Sequence, residues 1–157
     1  MGMFLRTASD RMLINISGYD KKAVTDPRRI HWCPVVGIND RWTASLEGFE
    51  FDGVSEQLDH VALFDSGSNY ISGPPRQVRK LYQTLKANGR IPTFTTTVHG
   101  GPTGSTVYEF TCVPPTQDFT VSFTINNVVY QLARNDFQVR VGPIAENKCR
   151  GAVAANL

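Results

Sequence analysis

No stretch of this chain is apolar for long enough to span a bilayer, so no helical membrane segment is expected. Neither sign of charge dominates. Sixteen Lys and Arg stand against fourteen Asp and Glu, a formal net charge of +2, which points to neither nucleic acid nor a membrane surface as a partner. The basic residues are scattered or share one helix, the arrangement of a solvated face. The opening MGMFLRTASD lacks the long apolar stretch of a signal peptide. The glycine-rich run Val98 to Thr106, VHGGPTGST, has no Lys before Ser105 or Thr106. A bound phosphate would have no counter-ion there, so nucleotide binding is not expected. His99-Gly100-Gly101 looks like an esterase oxyanion loop, but the chain has no Gly-x-Ser-x-Gly elbow. A flexible surface loop between helix and strand is the expectation. His31, His60 and His99 lack the paired spacing of metal ligands, so neither a metal nor a cofactor is expected.

Cysteine is scarce as well, at three residues. Cys112 and Cys149 flank a segment of alternating apolar residues, where a disulfide could staple a β meander. Cys33, in HWCPVV, reads as a small buried apolar residue rather than a reactive thiol. The missing leader leaves two readings, an intracellular chain or one whose natural N-terminus is absent, and the cysteines favour the second. The sequon Asn15-Ile16-Ser17 would suit a secreted protein.

What is present is mostly strand. At 157 residues one domain with a real core is expected. MLINISGYD alternates and reads as a strand, with Gly18 near its end. Lys21 to Arg29, punctuated by Pro27, reads as a loop. IHWCPVV reads as an edge or bent strand, because Pro34 cannot donate to a ladder. RWTASLEGFEFDGV places Trp42, Ala44 and Leu46 on one face, then Phe49 and Phe51 before an Asp52-Gly53 turn. Val78, Leu81, Tyr82 and Leu85 recur at helical spacing, with prolines before and Gly89 after. Arg76, Arg79, Lys80 and Lys86 occupy the helix's other face. TVYEFTC alternates, VPPTQDF turns, and TVSFTI and VVYQL flank Asn126-Asn127, residues suited to a tight hairpin. Asp136-Phe137 then precedes a last strand, QVRVG. The fold class is mostly β with one short helix.

The segment Val61 to Pro75, VALFDSGSNYISGPP, organises the rest. Four largely apolar residues deliver Asp65 into the polar turn Ser66-Gly67-Ser68. A carboxylate at the end of an apolar run is costly unless its charge is held. Ser66 and Ser68 offer hydroxyls, and Gly67 lets the backbone N–H groups approach. A carboxylate held this way becomes a tuned acid or base. Ile71 restores apolar character, and Gly73-Pro74-Pro75 ends the strand before the helix.

An apolar pair, Asp-Ser-Gly-Ser, an apolar residue, then Gly-Pro and a helix resembles the active-site segment of the pepsin-like aspartic proteases. The Gly-Pro and helix make it similar to the second, C-terminal copy of that segment. The run from Cys112 through FTINN and YQL to Cys149 is also similar to the family's pattern, with Asn127 where glycine is usual. Trp42 matches the Trp-led strand, with Arg41 where the family often has Tyr. The likeness extends from about Met12 to Gly151.

The resemblance implies a single lobe of the pepsin-like bilobal fold, with residues 1–157 as a C-terminal lobe. It implies aspartic endopeptidase activity on peptide or protein substrates, with Asp65 catalytic and Ser66, Gly67 and Ser68 supporting its turn. Leu63, Gly67 and Asn69 fall at substrate-binding places, although the family has a hydroxyl residue at the Asn69 position. It implies a Cys112–Cys149 disulfide and an extracellular or secretory/vacuolar location. The mechanism needs two carboxylates, and only one Asp-Ser-Gly motif is present. The partner would be an N-terminal lobe or, as in the retroviral proteases, an identical copy. The family's hydrophobic-hydrophobic-Gly strand, which crosses beneath the turn, is not found before the chain stops at AVAANL. The expectation is therefore a fragment without the N-terminal lobe and the last closing strands. The alternative is an inactive binding or structural module that keeps the lobe fold.

Overall fold

The computed structural model describes residues 2–4, 13–15, 24, 26–37, 41–65, 67–100 and 104–156. These fall into two compact units, residues 1–34 and residues 35–157. In the first, β1 (Gly2–Phe4) pairs antiparallel with β2 (Leu13–Asn15). Ile16 and Ser17 of the sequon lie outside the described residues. A 3-10 turn, Pro27–Arg29, begins at Asp26, whose carboxylate accepts from the Arg28 backbone N–H at 3.1 Å.

The second unit carries two sheets. One runs β4-β3-β8-β9, built from β3 (Thr43–Phe51), β4 (Val54–Leu63), β8 (Thr120–Ile125) and β9 (Val128–Ala133). Both of its hairpins close through residues with positive φ: Asp52 and Gly53 at 49° and 80°, Asn126 and Asn127 at 48° and 62°. Those angles match the twist of the flanking strands, so both turns expected from the sequence form. Midway along β3 the register shifts between Leu46 and Gly48. This bulge explains why the apolar positions change phase, from Ala44 and Leu46 to Phe49 and Phe51. Gly48 is required at the bulge. A Cβ there would lie 2.7 Å from the Glu56 carbonyl oxygen, against backbone that cannot swing aside.

The second sheet runs β10-β11-β7-β12-β5, with β6 on the other side of β7. Its strands are β5 (Ile71–Gly73), β6 (Phe94–His99), β7 (Ser105–Thr111), β10 (Gln138–Arg140), β11 (Lys148–Gly151) and β12 (Val153–Asn156). Helix α1 (Pro75–Ala87) follows β5, and the four-residue α2 (Arg134–Phe137) links β9 to β10. The stripe Val78, Leu81, Tyr82 and Leu85 is buried, as its spacing requires. Tyr82 centres the core. Its ring stacks on Tyr108 at 3.9 Å and meets Phe94, Phe110 and Phe137. The Tyr82 hydroxyl donates to the Val153 carbonyl at 2.7 Å, and burial pushes its phenol far above the ordinary value. Phe49, Phe51 and Val121 of the first sheet complete the same apolar cluster.

Three expectations need correction. Residues 30–36 join no ladder. Pro34 lacks a donor, and Val36 instead bonds the Thr43 backbone. Val98 and His99, expected in the Val98–Thr106 loop, instead end a strand, Phe94–His99. It pairs with β7 along its whole length while most of its side chains stay exposed, so no apolar alternation announces it. Nor is QVRVG the last strand. Lys148–Gly151 and the small-residue segment Val153–Asn156 follow it, and β12 runs parallel to β5, immediately after the Asp65 turn. Cys112 and Cys149 are bonded, with Cα atoms 4.8 Å apart, and Cys33 is free.

Candidate functional site

Strand β4 ends where the site begins. Leu63 and Phe64 are 51% and 56% exposed, and the Phe64 N–H is tied to the Trp42 carbonyl at 2.8 Å. That bond fixes the chain one residue before Asp65. Asp65 itself is exposed, and one carboxylate oxygen accepts from the Gly67 N–H at 2.9 Å. The Ser68 N–H bonds the Asp65 carbonyl at 3.2 Å and closes the turn. A backbone donor is already aimed at the carboxylate, so ordering that contact costs no side-chain entropy. Gly67 leaves the close side of the turn open: a Cβ there would approach the Asp65 oxygen to 3.2 Å.

The Ser68 hydroxyl does something other than hold the acid. Ser68 Oγ donates to the Tyr70 carbonyl at 2.7 Å, bracing the exit of the turn. The carboxylate is held by the Gly67 amide instead. Ser66 lies outside the described residues.

The exit is fixed twice more. The Ile71 N–H donates to the Ala152 carbonyl at 2.9 Å, and β12 lies parallel along Ile71–Gly73. In the same sheet Glu109 is almost fully buried between two cations. Its oxygens meet Lys148 Nζ at 2.7 Å and Arg150 Nη2 at 2.6 Å. Lys148 first, and Arg150 with it, hold the Glu109 carboxyl below its ordinary range, and Glu109 in turn raises the Arg150 guanidinium.

An open groove of about 1130 Å³ spreads beside the turn, with Asp65, Leu63, Asn69, Ile71, Phe123 and Val153 among its lining residues. Leu63 and Asn69 therefore share one concave surface with Asp65. Gly67 is exposed on the turn but does not line the groove. The wall is largely apolar, suited to apolar groups rather than to a highly charged ligand.

Sequence reasoning left several groove residues unassigned, His60 on β4 and Asp136 on α2 among them. Neither stands in a motif, and a four-residue helix carries no periodic signal. Asp52 is already committed, accepting from Arg90 Nε at 2.7 Å and Asn88 Nδ2 at 2.6 Å. Asp118 caps its own neighbour through the Phe119 N–H at 3.0 Å. Among these carboxylates Asp65 combines exposure, a groove and a backbone donor.

A solvent-facing carboxylate held by an amide at the lip of an apolar groove is equipped to exchange protons with a bound amide and a water. It cannot act as acid and base at one moment. No curated protein matches the chain. The family model for eukaryotic aspartyl proteases matches residues 2–156, nearly the full length, and the chain belongs to that family.

Proposed function

We propose that this chain supplies Asp65 as one carboxylate of an aspartic endopeptidase whose second carboxylate comes from another lobe. The observation that carries the reading is the Asp65 turn, its acid open to solvent, bonded to the Gly67 N–H and set beside an apolar groove. Gly73-Pro74 and α1 follow that turn directly, which supports assigning residues 1–157 to the C-terminal type of lobe. Leu63 and Asn69 would contact substrate from the groove, and Gly67 from the turn. The disulfide supports an oxidising compartment, secreted or vacuolar, as the place of action.

The chemistry sets the requirement for a partner. Two facing carboxylates share one proton at acid pH, because both cannot ionise at close range. The ionised one takes a proton from water as the oxygen attacks the scissile carbonyl carbon. The protonated one gives its proton to the carbonyl oxygen, producing a neutral diol. Collapse breaks the C–N bond as the carboxyl that took water's proton gives it to the amine nitrogen. The other carboxylate takes a diol hydroxyl proton, leaving an acid and an amine. Asp65 can fill either role but not both.

The test is a casein-cleavage assay at acid pH on the monodisperse chain, alone and with an added N-terminal lobe of an aspartic protease. Alone, the chain is expected to be silent. With the lobe, cleavage that pepstatin blocks is expected. Cleavage by the chain alone, rising with the square of its concentration, would make the partner a second copy. Silence in every combination would sink the enzyme reading and leave a binding module.

A further inference from the structure

The buried cluster behind the turn is joined to it by an unbroken set of contacts. Glu109 on β7 and Arg150 on β11 are cross-strand partners. One Glu109 oxygen accepts from Arg150 Nε at 3.1 Å and from Nη2 at 2.6 Å, while the other meets Lys148. This leaves Arg150 Nη1 free to point elsewhere, and it donates to the Tyr70 hydroxyl at 3.0 Å. The Tyr70 carbonyl accepts the Ser68 hydroxyl, and the Ser68 N–H closes on the Asp65 carbonyl.

Each link has a physical reason to be stiff. The guanidinium is planar, so fixing two of its nitrogens on Glu109 fixes the direction of the third. The Glu109 side chain is 7% exposed and that of Arg150 22%, so water competes poorly for their bonds. The need for such a brace is visible in β5. It has three residues and pairs only with β12, so the Arg150 contact adds a further restraint to a short edge strand.

We infer that Arg150 and Tyr70 are positioning residues for Asp65. The guanidinium, locked by Glu109, holds the Tyr70 phenol, and Tyr70 sets the exit of the turn that carries the carboxylate. The catalytic meaning rests on Asp65 being a reacting group, as proposed above. The mechanical link does not, so the experiment reads the two separately.

Tyr70→Phe removes a single hydroxyl from the full chain. Amide hydrogen exchange at Gly67 and Ser68 is expected to accelerate about tenfold, the loss of one charge-assisted hydrogen bond. Amides of Phe123 and Tyr130, in the other sheet, should hold their rates. Arg150→Lys should show the same acceleration, because an ammonium cannot serve Glu109 and Tyr70 with one fixed fork. With a completing lobe, both variants should lower kcat by about the same tenfold factor and leave KM unchanged. Exchange at Gly67 and Ser68 within twofold of wild type in both variants would overturn the link. Faster exchange with unchanged kcat would overturn the positioning role. If wild type itself fails to cleave, exchange still decides the link, and that failure counts against the proposed activity.

Discussion

Asp65→Asn, assayed with a completing lobe, is expected to lose turnover by roughly 10³-fold or more at acid pH. The substitution is close to isosteric. Its carboxamide oxygen can still accept the Gly67 N–H, and the side chain is exposed, so the chain's denaturation midpoint should not move. What disappears is the ability to take and return a proton. An amide in that place cannot share a proton with the facing acid, and water is left without a base. The measurement is kcat at saturating substrate, paired with a urea melt of the same sample. Turnover within tenfold of wild type would remove Asp65 from the chemistry. A shifted melt would mean that the variant had disturbed the fold and could not report on catalysis.

The second large effect concerns stability. Replacing Cys112 and Cys149 together by Ala is expected to cost about 4 kcal/mol in urea unfolding, mainly by freeing the unfolded chain. The bridge joins positions 37 residues apart, long enough for its loss to restore many unfolded conformations. It also pins the end of β7 beside β11, the strand that carries Arg150. Alanine is preferred to serine because Cys149 is buried and a hydroxyl there would need a partner. Thiol counting on the denatured, unreduced wild type should find one group, Cys33. Three groups, or a loss below about 1 kcal/mol, would refute the staple.

The parts of this molecule that were legible in its sequence are those governed by local rules. Val78, Leu81, Tyr82 and Leu85 announced α1 because a helix repeats its buried face within a few residues. Asp52-Gly53 and Asn126-Asn127 announced hairpins because few residues tolerate positive φ at both turn positions. The Asp65 turn was legible through its flanks, an apolar strand before it and Gly73-Pro74 after it. Less visible were features decided by distant partners. Val153–Asn156 has three small residues and a polar one, and becomes a strand because β5 and β7 lie on either side. The Ser68 hydroxyl bonds the Tyr70 carbonyl rather than the acid, a choice of geometry that residue type leaves open. Glu109, Arg150 and Tyr70 stand far apart in the chain, and no motif joins them.

That distance bears on the order in which the molecule acquires its parts. The two hairpins of the first sheet close through two-residue turns, whereas the Arg150–Tyr70 bond spans 80 residues and Tyr82 reaches Val153 across 71. Closing a long loop costs entropy before any contact rewards it, so local pairings form early and distant ones late. Pulse-labelled exchange during refolding should protect the β8–β9 amides before that of Ile71, and the reverse order would contradict this sequence of events. A nascent chain would then carry a well-formed hairpin sheet while the segment around Asp65 was still unbraced. The turn that carries Asp65 would be among the last features to mature.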